Sequence, residues 1–254
     1  MLWYKSWLET RWRFLIGLVL VIGSVCSIVL TYPEVQAILQ STQPATSGGI
    51  LGRQIAEAIA LSREYRGYVW SEWISGSIPE LLTLFAVILG SGGLLTQAGR
   101  GGAIFTLSLP VSRERLLGVR AATGLAELSV LALVPTLLLP VLSPVVGERY
   151  AIGDAMVHAL CLFMVSSTLF ALSFLLSTVF NDVWRPALIV LCVAVVVALA
   201  EQVTGLSRHG VYGLMSGEVY FRDGVIPWLG LLASAAVTAA AMAAAVANIA
   251  RQDF

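Results

Sequence analysis

Six long, predominantly apolar stretches of this sequence contain no Asp, Glu, Lys or Arg, and they constrain the fold more than any other feature. They are Phe14–Pro33, Leu81–Gly99, Leu128–Gly147, Ala155–Asn181, Pro186–Ala200 and Gly224–Ala250. A helix that crosses a bilayer needs about 20 apolar residues. Only 12% of the residues are charged and 58% are hydrophobic, whereas charged residues make up about 25% of a soluble domain. The sequence therefore predicts an all-α, polytopic integral membrane protein.

We place six transmembrane helices in a single domain that covers residues 1–254. The predicted spans are 14–33, 81–99, 116–146, 155–180, 183–201 and 224–250. The fifth reaches crossing length only if Arg185 and Glu201 lie at the two interfaces, and five spans is the alternative if residues 186–200 are re-entrant. Cleavage of the first run as a signal peptide is a less favoured alternative, because its apolar core exceeds the usual length of about 7–15 residues.

The basic residues predict the orientation, since cytoplasmic loops carry an excess of Lys and Arg. With the N-terminus inside, the inner segments hold nine basic residues and the longer outer segments hold six. Both termini are then expected in the cytoplasm, with the chain in the plasma or inner membrane.

Two segments outside the predicted spans are rich in aromatic residues. In residues 1–13, Trp3 and Trp7 lie four apart, as do Lys5 and Glu9, which favours an interfacial elbow helix over a frayed tail. The predicted outer loop 34–80 contains Tyr68, Trp70 and Trp73 within one cluster. We expect short surface helices there; a substrate gate built from these three residues is the alternative.

The composition also excludes several functions. The net charge is zero, which gives no global case for nucleic-acid binding. The only lysine, Lys5, has no glycine before it, so the chain lacks a standard phosphate-binding loop. We expect no enzyme activity and no cofactor on this chain.

Three ionisable residues fall in or beside the predicted spans. A buried Glu127 is interpreted either as a contact for substrate or protons, or as a structural partner of Arg120 or a serine. Asp154 and His158 have i, i+4 spacing and are expected to form a local pair rather than a metal site.

The connection between the second and third spans carries the most informative motif. A glycine cluster precedes the apolar stretch 103–109, Pro110 interrupts it, and Ser112 provides an N-cap for the next helix. The stretch is too short to cross lipid. An apolar helix at the surface needs a cover, which is either lipid headgroups or a partner protein.

The phrase Leu-Ser-Leu-Pro-Val-Ser-Arg at residues 107–113 resembles the segment between the second and third spans of type 2 ATP-binding-cassette (ABC) permeases. The six-span layout, the inner N-terminus and the elbow helix are similar too. The resemblance implies that residues 100–115 are a coupling segment, with a short helix at 103–109, that docks on a separate cytoplasmic ATPase, where ATP binds. The residues expected to couple are Ile104, Phe105, Leu107, Leu109, Pro110, Arg113 and Arg115.

The resemblance thus implies the permease subunit of an ATP-driven transporter, an exporter rather than an importer, which pairs with a second permease chain. Two other classes remain as alternatives. A non-catalytic membrane scaffold or immunity protein would need no path between the helices. An intramembrane enzyme would need a catalytic constellation at membrane depth, and no HExxH or GxSxG pattern occurs in the sequence.

Overall fold

The computed structural model describes residues 2–41, 59–92, 112–180, 182–205, 208 and 210–251. These residues are almost entirely helical, and no strand occurs among them. Six helical segments are long and apolar enough to cross a membrane. The predicted all-α class is therefore confirmed, and the six helices of crossing length agree in number with the predicted spans.

Nine α-helices have both ends within the described residues, and a further helical stretch covers residues 59–63. In the order of the chain, the nine are α1 (Leu2–Ser41), α2 (Tyr65–Val69), α3 (Ile78–Gly90), α4 (Arg113–Leu142), α5 (Ile152–Ser177), α6 (Trp184–Thr204), α7 (Val211–Ser216), α8 (Glu218–Asp223) and α9 (Trp228–Ala250). A π-helix, Trp70–Ser77, joins α2 to α3, and a 3₁₀-helix, Ser143–Val146, follows α4. The spans are α1, the continuous segment from α2 to α3, α4 with its 3₁₀ turn, α5, α6 and α9.

The first span differs from the predicted elbow and short helix. Residues 2–13 continue without a break into the apolar run, and the helix passes Pro33 before it ends at Ser41. Nothing in residues 2–13 stops a helix, because this segment has neither proline nor glycine. At about 1.5 Å per residue, the 40-residue helix is longer than a bilayer core.

The second span begins well before the predicted residue 81. Residues 65–80, expected in an outer loop, belong to the helical segment Tyr65–Gly90. The aromatic cluster is in the core rather than on the surface: Tyr68, Trp70 and Trp73 are all buried. The indole of Trp73 donates to the Ser24 hydroxyl on α1 (2.9 Å). The cluster is buried because α1 and α7 pack against it.

The remaining spans lie close to their predicted positions. The fifth is one helix, Trp184–Thr204, of crossing length, so the structure favours six spans over the five-span alternative. In α4, Pro135 and Pro140 lie inside a continuous helix. The Ser112 side chain accepts from the Arg115 amide (3.4 Å) and caps α4, as predicted.

The bundle is centred on α5, which packs against α3, α4, α6, α7 and α9. We call the end where α1 begins the near end. It also contains the end of α3 and the start of α4, because Arg13 contacts Ser91 and Arg120 contacts Glu9. The far end holds α2, α7 and α8.

Candidate functional site

Most of the predicted coupling residues lie outside the described part of the chain. Ile104, Phe105, Leu107, Leu109 and Pro110 fall in residues 93–111. The two flanks of this segment are described: one ends at Gly92 and the other begins at Ser112. Arg113 and Arg115 open α4, and Arg115 is exposed to solvent.

An arginine from α1 holds the flank at the end of α3. The Arg13 guanidinium donates to the carbonyl oxygens of Ile88 (3.1 Å) and Ser91 (3.2 Å). Carbonyls at the end of a helix lack intrahelical donors and carry partial negative charge. A cation at this position satisfies two of them and fastens α3 to α1.

A second arginine holds the other flank, near the start of α4. The Arg120 guanidinium lies 3.4 Å from the Glu9 carboxylate on α1, and Lys5 lies 4.0 Å from the same side chain. The Arg120 side chain is only 12% exposed. A shielded ion pair of this kind keeps more of its Coulomb attraction than a surface pair.

Glu127 lies on α4 further from the near end than Arg120, and it is 5% exposed. Its Oε1 accepts a hydrogen bond of 2.5 Å from the Thr10 hydroxyl on α1. The expected hydrogen bond to a neighbouring helix is present, and its donor is a threonine rather than Arg120 or a serine. The interpretation as a structural contact between helices holds, with a threonine as the donor.

Five side chains form what we call the near-end cluster: Glu9, Thr10, Arg13, Arg120 and Glu127. It joins α1 to the end of α3 and to the first half of α4, on both sides of residues 93–111. The sequence indicated only Glu127 and Arg120. Arg13 carried a weaker signal, since it is the last charged residue before the first apolar run.

A second group of polar side chains joins α2, α5 and α8 at the far end. Asp154, at the start of α5, lies 2.8 Å from the Arg66 guanidinium on α2 and accepts from the Tyr220 hydroxyl on α8 (2.9 Å). This hydrogen bond to the carboxylate raises the pKa of Tyr220, because the neutral phenol is the form that donates. Nearby, burial raises the pKa of Tyr150.

His158 does not pair with Asp154, so the predicted local pair is wrong. Its Nδ1 lies 3.1 Å from the Ser216 carbonyl at the end of α7. Since a carbonyl only accepts, Nδ1 carries the proton. The indole of Trp70 donates to the same carbonyl (3.3 Å), so α7 is held by side chains from two spans.

The described residues contain no group of three or more His, Cys, Asp or Glu side chains that could hold a metal ion. Comparison with family models, with curated proteins and with solved structures found no match. The functional argument therefore depends on the residues of this chain.

Proposed function

We propose that this chain is the membrane-spanning permease subunit of an ABC-type transporter, and specifically of an exporter. It forms the translocation path with a second permease chain and couples to a separate cytoplasmic ATPase. The observation that carries the proposal is the near-end cluster on both flanks of residues 93–111, the segment with the coupling-helix motif.

The geometry of the flanks suits a coupling role. A partner that displaces residues 93–111 pulls on the end of α3 and on the start of α4. Arg13 and Arg120 connect both points to α1, so three spans move together instead of one loop moving alone. Small displacements are amplified in this way when packed helices shift as rigid elements.

The charge distribution supports an orientation with the near end in the cytoplasm. Among the described residues, the basic ones at the near end are Lys5, Arg11, Arg13, Arg113, Arg115, Arg120, Arg185 and Arg251. This excess of basic residues is typical of the cytoplasmic side. ATP then acts on the side where the coupling motif is located.

The test is Phe105→Ala in the chain purified with the product of a neighbouring gene, which the proposal expects to be an ABC-type ATPase. A buried aromatic at the centre of an interface contributes about 2 kcal/mol or more, so we expect the affinity between the subunits to fall at least tenfold. Substrate-stimulated ATP hydrolysis should fall with it.

Trp184→Ala is the matched control. This aromatic residue lies at the near end, at the start of α6, and is 73% exposed, but it lies outside residues 93–111. It should leave the affinity unchanged. Equal affinities for the Phe105 and Trp184 variants would contradict docking at Phe105, and a wild-type chain that binds no ATPase would contradict the proposed function.

A further inference from the structure

A cleft opens between the second span, α6 and α7, and no residue of the near-end cluster lines it. Its volume is about 440 Å³, and residues of the π-helix, α3, α6, α7 and α8 line it. Small-molecule sites in proteins are typically about 300–1,000 Å³. The size is therefore that of a site for a small organic molecule.

The wall of the cleft has two chemically different sides. Most of the α6 side is apolar, with Leu191, Val195 and Leu199, and the polar Glu201 and Gln202 follow near the end of the helix. The opposite side, from the π-helix and α3, presents Ser75, Glu80 and Thr83. No Lys or Arg is among the described residues that line it.

Glu80 is the carboxylate of this cleft that lacks a partner in the described structure. Two other acids line it, but each is already engaged. Glu201 accepts from the amides of Val211 and Tyr212 and so caps α7. Glu218 accepts from the Arg222 guanidinium (2.9 Å).

The depth of Glu80 makes an uncompensated charge costly. It lies ten residues before Gly90, the end of α3, which places it about 15 Å along the helix axis. The hydrocarbon core is about 30 Å thick, so the exposed side chain of Glu80 lies about half a core thickness from the end of the span. A carboxylate at that depth is expensive and marks a substrate or ion pathway by default.

Thr83 supplies an independent indication of a ligand. It is 5% exposed and lines the cleft, and its hydroxyl has no hydrogen-bond partner among the described residues. Threonines elsewhere in the spans donate to the carbonyl four residues before, as Thr123 and Thr136 do. A buried hydroxyl without a partner is destabilising unless a group from outside satisfies it.

We infer that this cleft binds an amphiphilic organic cation that enters from the membrane. The carboxylate of Glu80 pairs with the cationic centre, and Leu191, Val195 and Leu199 cover its apolar body. The Thr83 hydroxyl, three residues from Glu80 and so on the same face of α3, approaches the polar end of the ligand. The site does not depend on the proposed function, because binding needs neither ATP nor a partner chain.

The experiment measures tetraphenylphosphonium binding to the purified full-length chain in phosphatidylcholine nanodiscs by equilibrium dialysis. We expect saturable binding, which Glu80→Gln weakens about tenfold through the lost ion pair. Glu72→Gln is the matched control: Glu72 is exposed on the same span but does not line the cleft. It should bind like the wild type.

A second variant tests the place of binding without changing charge. Ala198 lies on the α6 wall, so Ala198→Trp fills the cleft and should abolish saturable binding. Circular dichroism and a monodisperse elution profile check that each variant is folded. Equal affinities for the Glu80 and Glu72 variants, or saturable binding that survives Ala198→Trp, would overturn the inference.

Discussion

At the scale of single residues, one buried hydrogen bond joins α1 to α4 at the near end. Glu127 accepts from Thr10, a residue 117 positions away in the chain. Its Oε2 has no partner among the described residues. A buried carboxylate left without its one donor costs the desolvation of that group, so this hydrogen bond contributes more than a surface contact of equal length.

We expect Thr10→Val to lower the free energy of unfolding by about 1–3 kcal/mol, because it keeps the shape of the side chain and removes the donor. Denaturant unfolding in detergent micelles measures the change. Thr31→Val is the control, since the exposed Thr31 hydroxyl donates only to the Ser27 carbonyl of its own helix. A similar loss in both variants would show that the Glu127 contact is not responsible.

The same pair permits a double-mutant cycle. Glu127→Leu added to Thr10→Val removes the unpaired carboxylate and should recover part of the loss, with a coupling energy of about 0.5–3 kcal/mol. Strictly additive effects would contradict direct coupling between the two side chains.

At the scale of elements, the core depends on the close approach of α3 and α5. A Cβ atom on Gly90 would lie 2.5 Å from the Phe170 carbonyl oxygen and 2.9 Å from the Ser173 Cβ. The Ser173 hydroxyl donates to the Val87 carbonyl on α3 (2.8 Å). Small residues permit this spacing, and a hydrogen bond between the helices fixes their register.

We expect Gly90→Ala to destabilise the protein by about 1–3 kcal/mol, because a backbone carbonyl cannot yield to the added methyl group as a flexible side chain can. Gly23→Ala, on an exposed face of α1 with nothing near its Cβ position, should instead be neutral or stabilise by up to about 1 kcal/mol. Thermal unfolding of both variants in one detergent gives the comparison. Changes of the same sign would contradict close packing at Gly90.

At the scale of the whole molecule, the two ends of the bundle differ in charge. The near end carries most of the basic residues, whereas acids such as Glu64, Glu148, Asp154 and Asp223 accompany the arginines of the far end. Uneven basic charge sets the orientation of a polytopic chain during insertion. The uneven distribution of basic residues therefore predicts which end of the bundle faces the cytoplasm.

We expect Lys5, Arg113 and Arg251 to face the cytoplasm and Arg63 and Arg208 to face outward. The test uses single cysteines at these positions in a chain from which Cys26, Cys161 and Cys192 have been removed. A membrane-impermeant maleimide should label positions 63 and 208 in intact cells, and the other three only after permeabilisation. Labelling of position 63 only after permeabilisation would reverse the topology.

Several features of this protein follow from the sequence alone. The number of helices long and apolar enough to cross a membrane can be predicted, because each is an uninterrupted run of apolar residues that can be identified without its neighbours. The cap of α4 can also be predicted, because the Ser112 hydroxyl accepts from the amide of Arg115, only three residues away. The motif at residues 107–113 is likewise a property of the sequence, and the coupling role drawn from it stays a prediction.

Only the tertiary structure decided which groups meet. Glu127 binds Thr10 rather than Arg120, and Asp154 binds Arg66 and Tyr220 rather than His158. The cluster around Trp70 is buried because α1 and α7 cover it. Local spacing specifies which side chains share a helix face, but the partner across that face comes from a distant part of the chain. The packing of the helices selects it.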